Sequence, residues 1–501
     1  MILTELIEPL PVKRVIGAGN IDITGIAYDS RRVDPGSLFV CIRGDRFDGH
    51  DFIGDALARG ARAIASDDIE QVRAKWPFDF AQSWAGIAVV EVTDVRLALP
   101  VIAARFFGNP SRGMKLIGVT GTKGKTTTTY LVDSILRSAG YKTGVIGTLG
   151  IKIGDEVSPV TNTTPESLDL QAAFAHMIDS DVNAAVIEVS SHALVKHRVD
   201  ECEFDVGIFT NLTQDHLDFH KTLDEYFKAK LIFFEELGAK SSKGFVGVIN
   251  ADDPRMEDVV RATKGRTLTF GIRNSADIRA INVVAGAGVT EFDVVSPDGV
   301  FHVSLKLGGI FNVSNALGAI GSGIALGLPI DAIIAGLESI SYVPGRFVQV
   351  DCGQEFGVVI DYAHSPDSLE NILKAARDLT AKRLIVVFGC GGDRDRGKRP
   401  IMGRIAGDLA DVCVVTSDNP RTEDPGAIIQ EILTGVGDKA CSVEAITDRR
   451  EAIERALRMA EPGDVVVIAG KGHEHYQIFK DRTIHFDDRE VVEHVLGRAG
   501  S

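Results

Sequence analysis

Short apolar runs bounded by glycine, proline and polar turn residues recur along the chain, and most are followed by a stretch whose apolar positions fall three or four residues apart. The run at 115–119 reads as a buried strand, and 126–139 carries Tyr130, Leu131, Ile135 and Leu136 at helical spacing. Further runs at 143–147, 184–189, 206–212 and 246–250, with helical stretches between them, predict a parallel α/β sheet. After 307–316 comes an Ala- and Gly-rich stretch that predicts a helix ending at Gly327. Runs at 358–361, 383–388, 412–416 and 465–469 alternate with helical stretches again, the pattern of a second doubly wound unit. The first 110 or so residues mix short strands and helices. Turn formers crowd 108–113, which reads as a linker, and Pro344 with Gly345 suggests a hinge. With no internal repeat or low-complexity tract, the expected domains are 1–110, 111–346 and 347–501.

Composition fits that division. A chain of 501 residues, 45% of them hydrophobic, can build about three packed cores. A net charge of −16 opposes a nucleic-acid backbone, so a phosphate-bearing ligand must be held by local loops, and nucleic acid is not an expected partner. Cysteines at 41, 202, 352, 390, 413 and 441 form no CxxC pair, which fits reduced thiols in a cytoplasmic enzyme. Glu5 and Glu8 interrupt the first apolar stretch and no apolar run approaches membrane-spanning length, so no membrane association is expected.

The most specific chemistry lies in Gly118-Val-Thr-Gly-Thr-Lys-Gly-Lys-Thr-Thr-Thr-Thr129, between the first central strand and its helix. Such a loop points successive backbone N–H groups and the positive end of a helix at one spot, where Lys125 adds a full charge. A polyphosphate suits that spot. Strict phosphate-loop spacing calls for glycine at position 119, which is valine here, so the motif is a variant. Thr126 is placed to hold Mg²⁺, and the run 184–188 ends on Glu188, where phosphate-loop proteins keep an acid for the same ion. His216, on the strand-end segment 210–218, is a candidate second metal ligand. Within 224–237, Phe227, Leu231 and Phe234 share a face and Lys230 lies near it. Such a lysine either snorkels to water or, buried and neutral, takes up CO₂ to become a carbamate that can bind metal. Ser30, Arg31 and the turn of Asp45, Arg46 and Phe47 either grip a polar ligand or only close turns.

In order and spacing, these motifs resemble the Mur ligase family of peptidoglycan precursor synthesis over essentially the whole chain. Asn162-Thr-Thr-Pro165, Asp215-His-Leu-Asp218, Asn312-Val-Ser-Asn315, Gly345-Arg346, Asp361-Tyr-Ala-His364, Ser417-Asp-Asn-Pro-Arg421 and Gly470-Lys-Gly-His-Glu474 complete the set. The resemblance implies an α/β protein of three domains: one that binds a UDP-linked substrate, a central P-loop-type parallel-sheet ATPase domain, and a C-terminal doubly wound, Rossmann-like domain that binds an amino acid. It implies that Gly121, Thr122, Lys123, Gly124, Lys125, Thr126 and Thr127 hold the ATP phosphates. Asn312 and Asn315 would read the adenine, and Arg346 and Asp361 would close the nucleotide site. Ser30, Asp45, Arg46 and Phe47 would hold the uridine end of UDP-N-acetylmuramoyl-L-alanyl-D-glutamate, and Asn162, Thr163, Thr164, Ser190 and Arg198 its muramoyl-dipeptide. Lys196 stands where relatives often have glutamine. Lys125, Glu188, His216 and Lys230 would form the catalytic set, with Mg²⁺ on Thr126, Glu188, His216 and Lys230, the last as its CO₂-derived carbamate. Arg394, Asp418, Asn419, Pro420, Arg421, Gly470 and Glu474 would hold meso-2,6-diaminopimelate. Arg421 offers a planar fork for the carboxylate that lysine lacks, and lysine-adding relatives carry an Asp-Asp-Pro-Asn-like segment there.

The implied reaction is ATP-dependent amide formation through an acyl phosphate, carried out by a cytoplasmic monomer. Other readings are an L-lysine-adding form and a folylpolyglutamate synthetase-like ligase, which leaves the first domain unexplained. An ATPase motor or nucleotide-binding regulator is a further reading, in which phosphate release would not depend on both a carboxylate and an amine.

Overall fold

The structure is a computed structural model that describes residues 1–44, 47–76, 86–154, 156–285, 289–437 and 441–497. The first sheet comprises β1 (Val12–Gly17), β2 (Gly25–Ala27), β3 (Ser37–Val40), β4 (Ala63–Ser66) and β5 (Ala88–Val92) in the order β1-β5-β4-β3-β2. Only β1 runs antiparallel to its neighbour. β3 and β4 are buried along their whole length, because helices and loops cover both faces of a parallel sheet.

The central sheet strings eleven described strands together: β6 (Lys115–Thr120), β7 (Thr143–Gly147), β8 (Gly150–Ile153), β9 (Glu156–Ser158), β10 (Ala184–Glu188), β11 (Val206–Phe209), β12 (Val246–Asn250), β13 (Arg266–Gly271), β14 (Ile278–Ala285), β15 (Thr290–Ser296) and β16 (Gly299–Leu305). Their order is β16-β15-β14-β13-β12-β11-β6-β10-β7-β8-β9. The strands read from the sequence pair in parallel, and both edges add antiparallel meanders, β7-β8-β9 and β14-β15-β16. Their connections are too short for a crossover helix, so only antiparallel pairing is open to them. β15 alternates buried and exposed residues, one face lying under the helix Ile310–Ala325 through Phe292, Val294, Val313, Leu317 and Ile320.

Other boundaries also shift. β11 ends at Phe209, short of 212, because Thr210 and Asn211 turn to bond Lys123 of the phosphate loop. The Ala/Gly-rich helix begins at Ile310, which puts Asn312 and Asn315 inside it. The helix Leu223–Ile232, capped by Thr222 accepting from Glu225 N, continues as a π-helical turn, Phe233–Leu237.

The third sheet comprises β17 (Val348–Gln349), β18 (Gly357–Asp361), β19 (Leu384–Phe388), β20 (Val412–Val415), β21 (Ser442–Ala445) and β22 (Val465–Ala469) in the order β17-β18-β22-β19-β20-β21. It is parallel except for β17. A separate hairpin, β23 (Tyr476–Ile478) with β24 (Thr483–His485), lies beyond it. Apolar clusters line both faces of this sheet. Tyr28 OH and Arg32 Nη1 of the first domain both donate to Asp169 of the central one. Among the described residues no helix is long and apolar enough to cross a membrane.

Candidate active site between two sheets

β6 lies between β11 and β10, so the chain leaves its carboxyl end at a switch point of the sheet, where open α/β sheets bind ligands. The segment Gly121–Gly124 then turns into the helix Lys125–Ser138. Gly124 has φ +84, and a Cβ there would run into Asn315 Oδ1, so loop and helix Ile310–Ala325 touch only because position 124 has no side chain. Gly121, at φ +146, likewise sits against Thr210 Oγ1 and Asn211 N.

Three lysines gather at this loop. Lys125 Nζ donates to Gly121 O and Thr122 O, both at 2.9 Å. Lys230, 1% exposed, donates to the same Gly121 O at 2.8 Å and lies 4.3 Å from the Tyr226 ring centroid. Lys123 Nζ reaches Asp215 Oδ2 at 3.0 Å and Ser365 Oγ at 2.6 Å, the latter in the C-terminal domain. Burial, offset in part by Glu188, brings the Lys125 amine down to about 8. Burial and the neighbouring Lys125 bring Lys230 well below its ordinary value. Asp215 is held below the usual carboxylate range by Lys123 and His216, which outweigh its burial. His216 is an exposed residue, yet its ring packs 5.0 Å from the His192 ring and 5.9 Å from that of Tyr226, which takes water from it. That desolvation, helped by Lys125 and Lys230 and opposed by Asp215, lowers it to about 4, so the imidazole is neutral at pH 7.

Glu188 ends β10 almost fully buried and accepts from Thr126 Oγ1 at 3.0 Å, Thr148 N at 2.9 Å and Thr148 Oγ1 at 3.2 Å. Thr126 Oγ1 also accepts from Arg346 Nη2 at 3.1 Å. Arg346 stacks on Tyr362 at 4.9 Å, and burial raises Asp361 against the pull of Arg346, while its Oδ2 accepts from Phe347 N. Asn315 Nδ2 donates to Asn312 Oδ1 at 3.1 Å, and Thr127 is buried in the first helical turn. Phosphate loop, Glu188, Arg346 and the two asparagines are thus one cluster.

The remaining candidates lie in two flanking groups. Thr164 Oγ1 donates to Glu188 O at 2.7 Å and accepts from Ser190 N at 3.1 Å, Thr163 bonds Thr148 across 3.1 Å, and Asn162 is exposed. Arg198 joins this group: its Nε donates to Glu166 Oε1 at 2.7 Å and its Nη1 to Thr164 O at 3.1 Å, which braces the Thr164 segment. Ser30 is buried beside the Tyr28 and Arg32 contacts to Asp169, whereas Phe47 is 71% exposed; Asp45 and Arg46 lie outside the described residues. Lys196 Nζ is 5.7 Å from the Phe219 ring centroid.

In the C-terminal domain, the carboxyl ends of β20 and β22 bring Asp418, Asn419, Pro420 and Arg421 against Gly470 and Glu474. Gly470 has φ +120, and a Cβ there would approach Asp418 Oδ2 to 2.6 Å. Arg421, at φ +53, is held by its N–H to Ile478 O at 3.0 Å and by Nη1 to Gly392 O at 2.8 Å. Arg394 is exposed, with its stem beside Gly391, which also faces Arg421. Burial raises the Glu474 carboxyl, with Lys471 opposing. Sequence reasoning passed over Thr148, Ser365 and Lys471. Ser365 carried a signal, since a serine before Pro366 marks a helix start, and its capping box with Ser368 opens the helix Pro366–Asp378.

Residues 22–107 match the family described as "Mur ligase family, catalytic domain", 119–323 "Mur ligase middle domain" and 345–472 "Mur ligase, glutamate ligase domain". A relative from Bacillus cereus named UDP-N-acetylmuramoyl-L-alanyl-D-glutamate--2,6-diaminopimelate ligase is 46% identical over 501 residues, 99% of each chain. One of the same name from Bacillus velezensis is 48% identical over 94% of each. A solved structure of a ligase so named superposes with a TM-score of 0.69 at 31% identity, over 100% of this chain and 99% of the other.

Proposed function

The chain belongs to the Mur ligase family of ATP-dependent acid–amino-acid ligases, and from that premise we propose that it joins meso-2,6-diaminopimelate to the D-glutamyl side-chain carboxylate of UDP-N-acetylmuramoyl-L-alanyl-D-glutamate, a step of peptidoglycan precursor synthesis. The observation that carries the reaction class is the cluster of Lys123, Lys125, Lys230 and Arg346 around one phosphate loop in a chain of net charge −16. A cradle of that kind, in a chain without a basic field, fits a polyphosphate held locally and not a nucleic-acid backbone.

A carboxylate is a poor acyl electrophile. Its oxygen therefore forms a bond to the ATP γ-phosphorus while the bond to ADP breaks, giving an acyl phosphate. Lys125 and Arg346 would offset charge on the transferring group. The amine then bonds to the activated carbonyl carbon, loses a proton, and inorganic phosphate departs. Thr126 Oγ1 and the Glu188 oxygens are the hard oxygen donors Mg²⁺ prefers, and Mg²⁺ there would supply further charge to the phosphate oxygens. His216 and Lys230 extend that set in our reading, Lys230 after its amine has taken up CO₂ and released a proton. Its burial against Lys125 favours the neutral amine that this uptake needs.

Arg421, with Arg394, would receive the distal carboxylate of the amino acid, and Asp418 and Glu474 its ammonium. Asn162, Thr163, Thr164, Ser190 and Arg198 would face the muramoyl-dipeptide, and Ser30 and Phe47, with Asp45 and Arg46 outside the described residues, the uridine end. A cytoplasmic monomer completes the reading. ADP release is the test: it should require both the UDP-linked dipeptide and an amino acid, with diaminopimelate the best of a panel. ADP release without either substrate would instead favour a motor or regulator.

A further inference from the structure

The Gly470–Glu474 turn contains a lysine that the reaction above does not use. Lys471 is fully buried, and its ammonium has three acceptors for its three protons: Asn419 Oδ1 at 3.0 Å, Glu474 Oε2 at 3.3 Å and Tyr476 O at 2.7 Å. Those acceptors belong to three segments, the loop after β20, the turn after β22 and the start of the hairpin β23–β24. Asn419 completes a triangle by donating Nδ2 to the same Glu474 Oε2 at 2.9 Å, while its Oδ1 also accepts from Ile478 N at 3.0 Å. Glu474 Oε2 thus takes two donors from the protein, and among the described residues Oε1 has Tyr362 OH, at 3.5 Å, as its hydrogen-bond partner.

We propose that Lys471 is a positioning residue for amino-acid recognition: it fixes the Asn419 carboxamide and holds Glu474 ionised, with Oε1 turned to the incoming ammonium group. The inference rests on the assignment of Glu474 to the amino-acid site. Physically, Lys471 is needed because Glu474 faces Asp418 from the β20 loop, Tyr362 from the end of β18 and Tyr476 from the hairpin, in a buried setting that favours the neutral acid. Among the described residues Arg449, from the helix Arg449–Met459, also faces it, but its Nε and Nη2 are held by Asp488 at 2.8 and 2.7 Å. Without Lys471 the carboxyl stays protonated to higher pH and offers the ammonium group a weaker acceptor.

The test is calorimetric binding of meso-diaminopimelate to the full chain, with nucleotide, from pH 6 to 9, for the wild type, Lys471→Met, Glu474→Gln and the double variant. Lys471→Met should bind at least tenfold more weakly at pH 7 and recover as pH rises. Glu474→Gln should be weak at every pH, and the double variant no weaker. Wild-type affinity and pH profile in Lys471→Met, or additive losses in the double variant, would overturn the proposal. Lys471→Gln keeps donors without the charge; if neither it nor Lys471→Met folds, the lysine serves stability alone and the proposal fails. Should the wild type not bind diaminopimelate, the functional reading is at fault. The Glu474 carboxyl titration, followed by ¹³C NMR, then decides, since Lys471→Met must raise its midpoint.

Discussion

At the scale of single residues, the site works by placing cations where negative charge must gather. Lys125 Nζ is held by two loop carbonyls in a position that does not support the core, so Lys125→Ala should abolish ligation and leave the unfolding temperature nearly unchanged. Turnover measured beside thermal unfolding checks this. Arg421 is the residue that should separate diaminopimelate from lysine. Charge-assisted hydrogen bonds lost by a ligand without the distal carboxylate cost about 1.5–3 kcal/mol each, so two give roughly a hundredfold preference or more. Arg421→Ala should erase most of it, as kcat/KM for the two amino acids will show. Lys230→Ala should be nearly inactive and regain activity with a short carboxylic acid that replaces the carbamate; full activity without rescue, in CO₂-depleted buffer, would count against a carbamate. Lys125 and Arg421 stood out in the sequence because each sits in a short motif whose chemistry is local, whereas Lys230 on its helix was singled out as a metal ligand only by the resemblance. What no local signal announces is the partner of Arg198, whose guanidinium meets Glu166, 32 positions away.

At the scale of elements, packing of strand against helix decides how closely the site can be drawn together. Gly118 on β6 faces Phe204 and Phe233, and a Cβ there would lie 2.8 Å from Phe204 Cε1 and closer still to the Phe233 ring. Gly118→Ala should therefore destabilise the fold by about 1–3 kcal/mol, the usual cost of overpacking a filled core. Urea denaturation measures it; an unchanged midpoint would mean that the rings can move aside. Phe233 opens the π-helical turn that follows Lys230, so the same substitution should also disturb the Lys230 contact to Gly121 O. Existence and type of most elements followed from apolar periodicity. Their ends did not, since the last residues of β11 are claimed by hydrogen bonds to the phosphate loop.

At the scale of the molecule, the C-terminal domain is docked on the phosphate loop through Lys123 to Ser365, and Arg346, at the hinge before it, reaches Thr126. Two histidines of that domain lie in the same region: His364 beside the Lys123 anchor and His473 against Gly345 and Tyr362. Burial, with Lys123 and Lys398 for the first and Arg346 for the second, lowers them to about 3 and about 4. Their folded values lie below the unfolded value of 6.5, so between those limits the unfolded chain binds more protons. The stability they confer is complete above about pH 6.5 and lost as pH falls through about 4 for His473 and about 3 for His364. Unfolding temperature should drop across that window, and His364→Gln should flatten the slope; a slope independent of that residue would refute the assignment.

The sequence by itself determined the α/β alternation, the phosphate loop and the motifs that resemble the Mur ligases, because backbone conformation and short motifs are set by neighbours in the chain. Only the tertiary structure decided that Lys123, Lys125 and Lys230 share one loop, that acceptors on three segments saturate Lys471, and that the edges of the central sheet run antiparallel. Those facts depend on which distant segments meet and on how deeply water is excluded. Burial and the charges across a seam set the properties of a lysine or a carboxylate, and neither is written in the residues beside it.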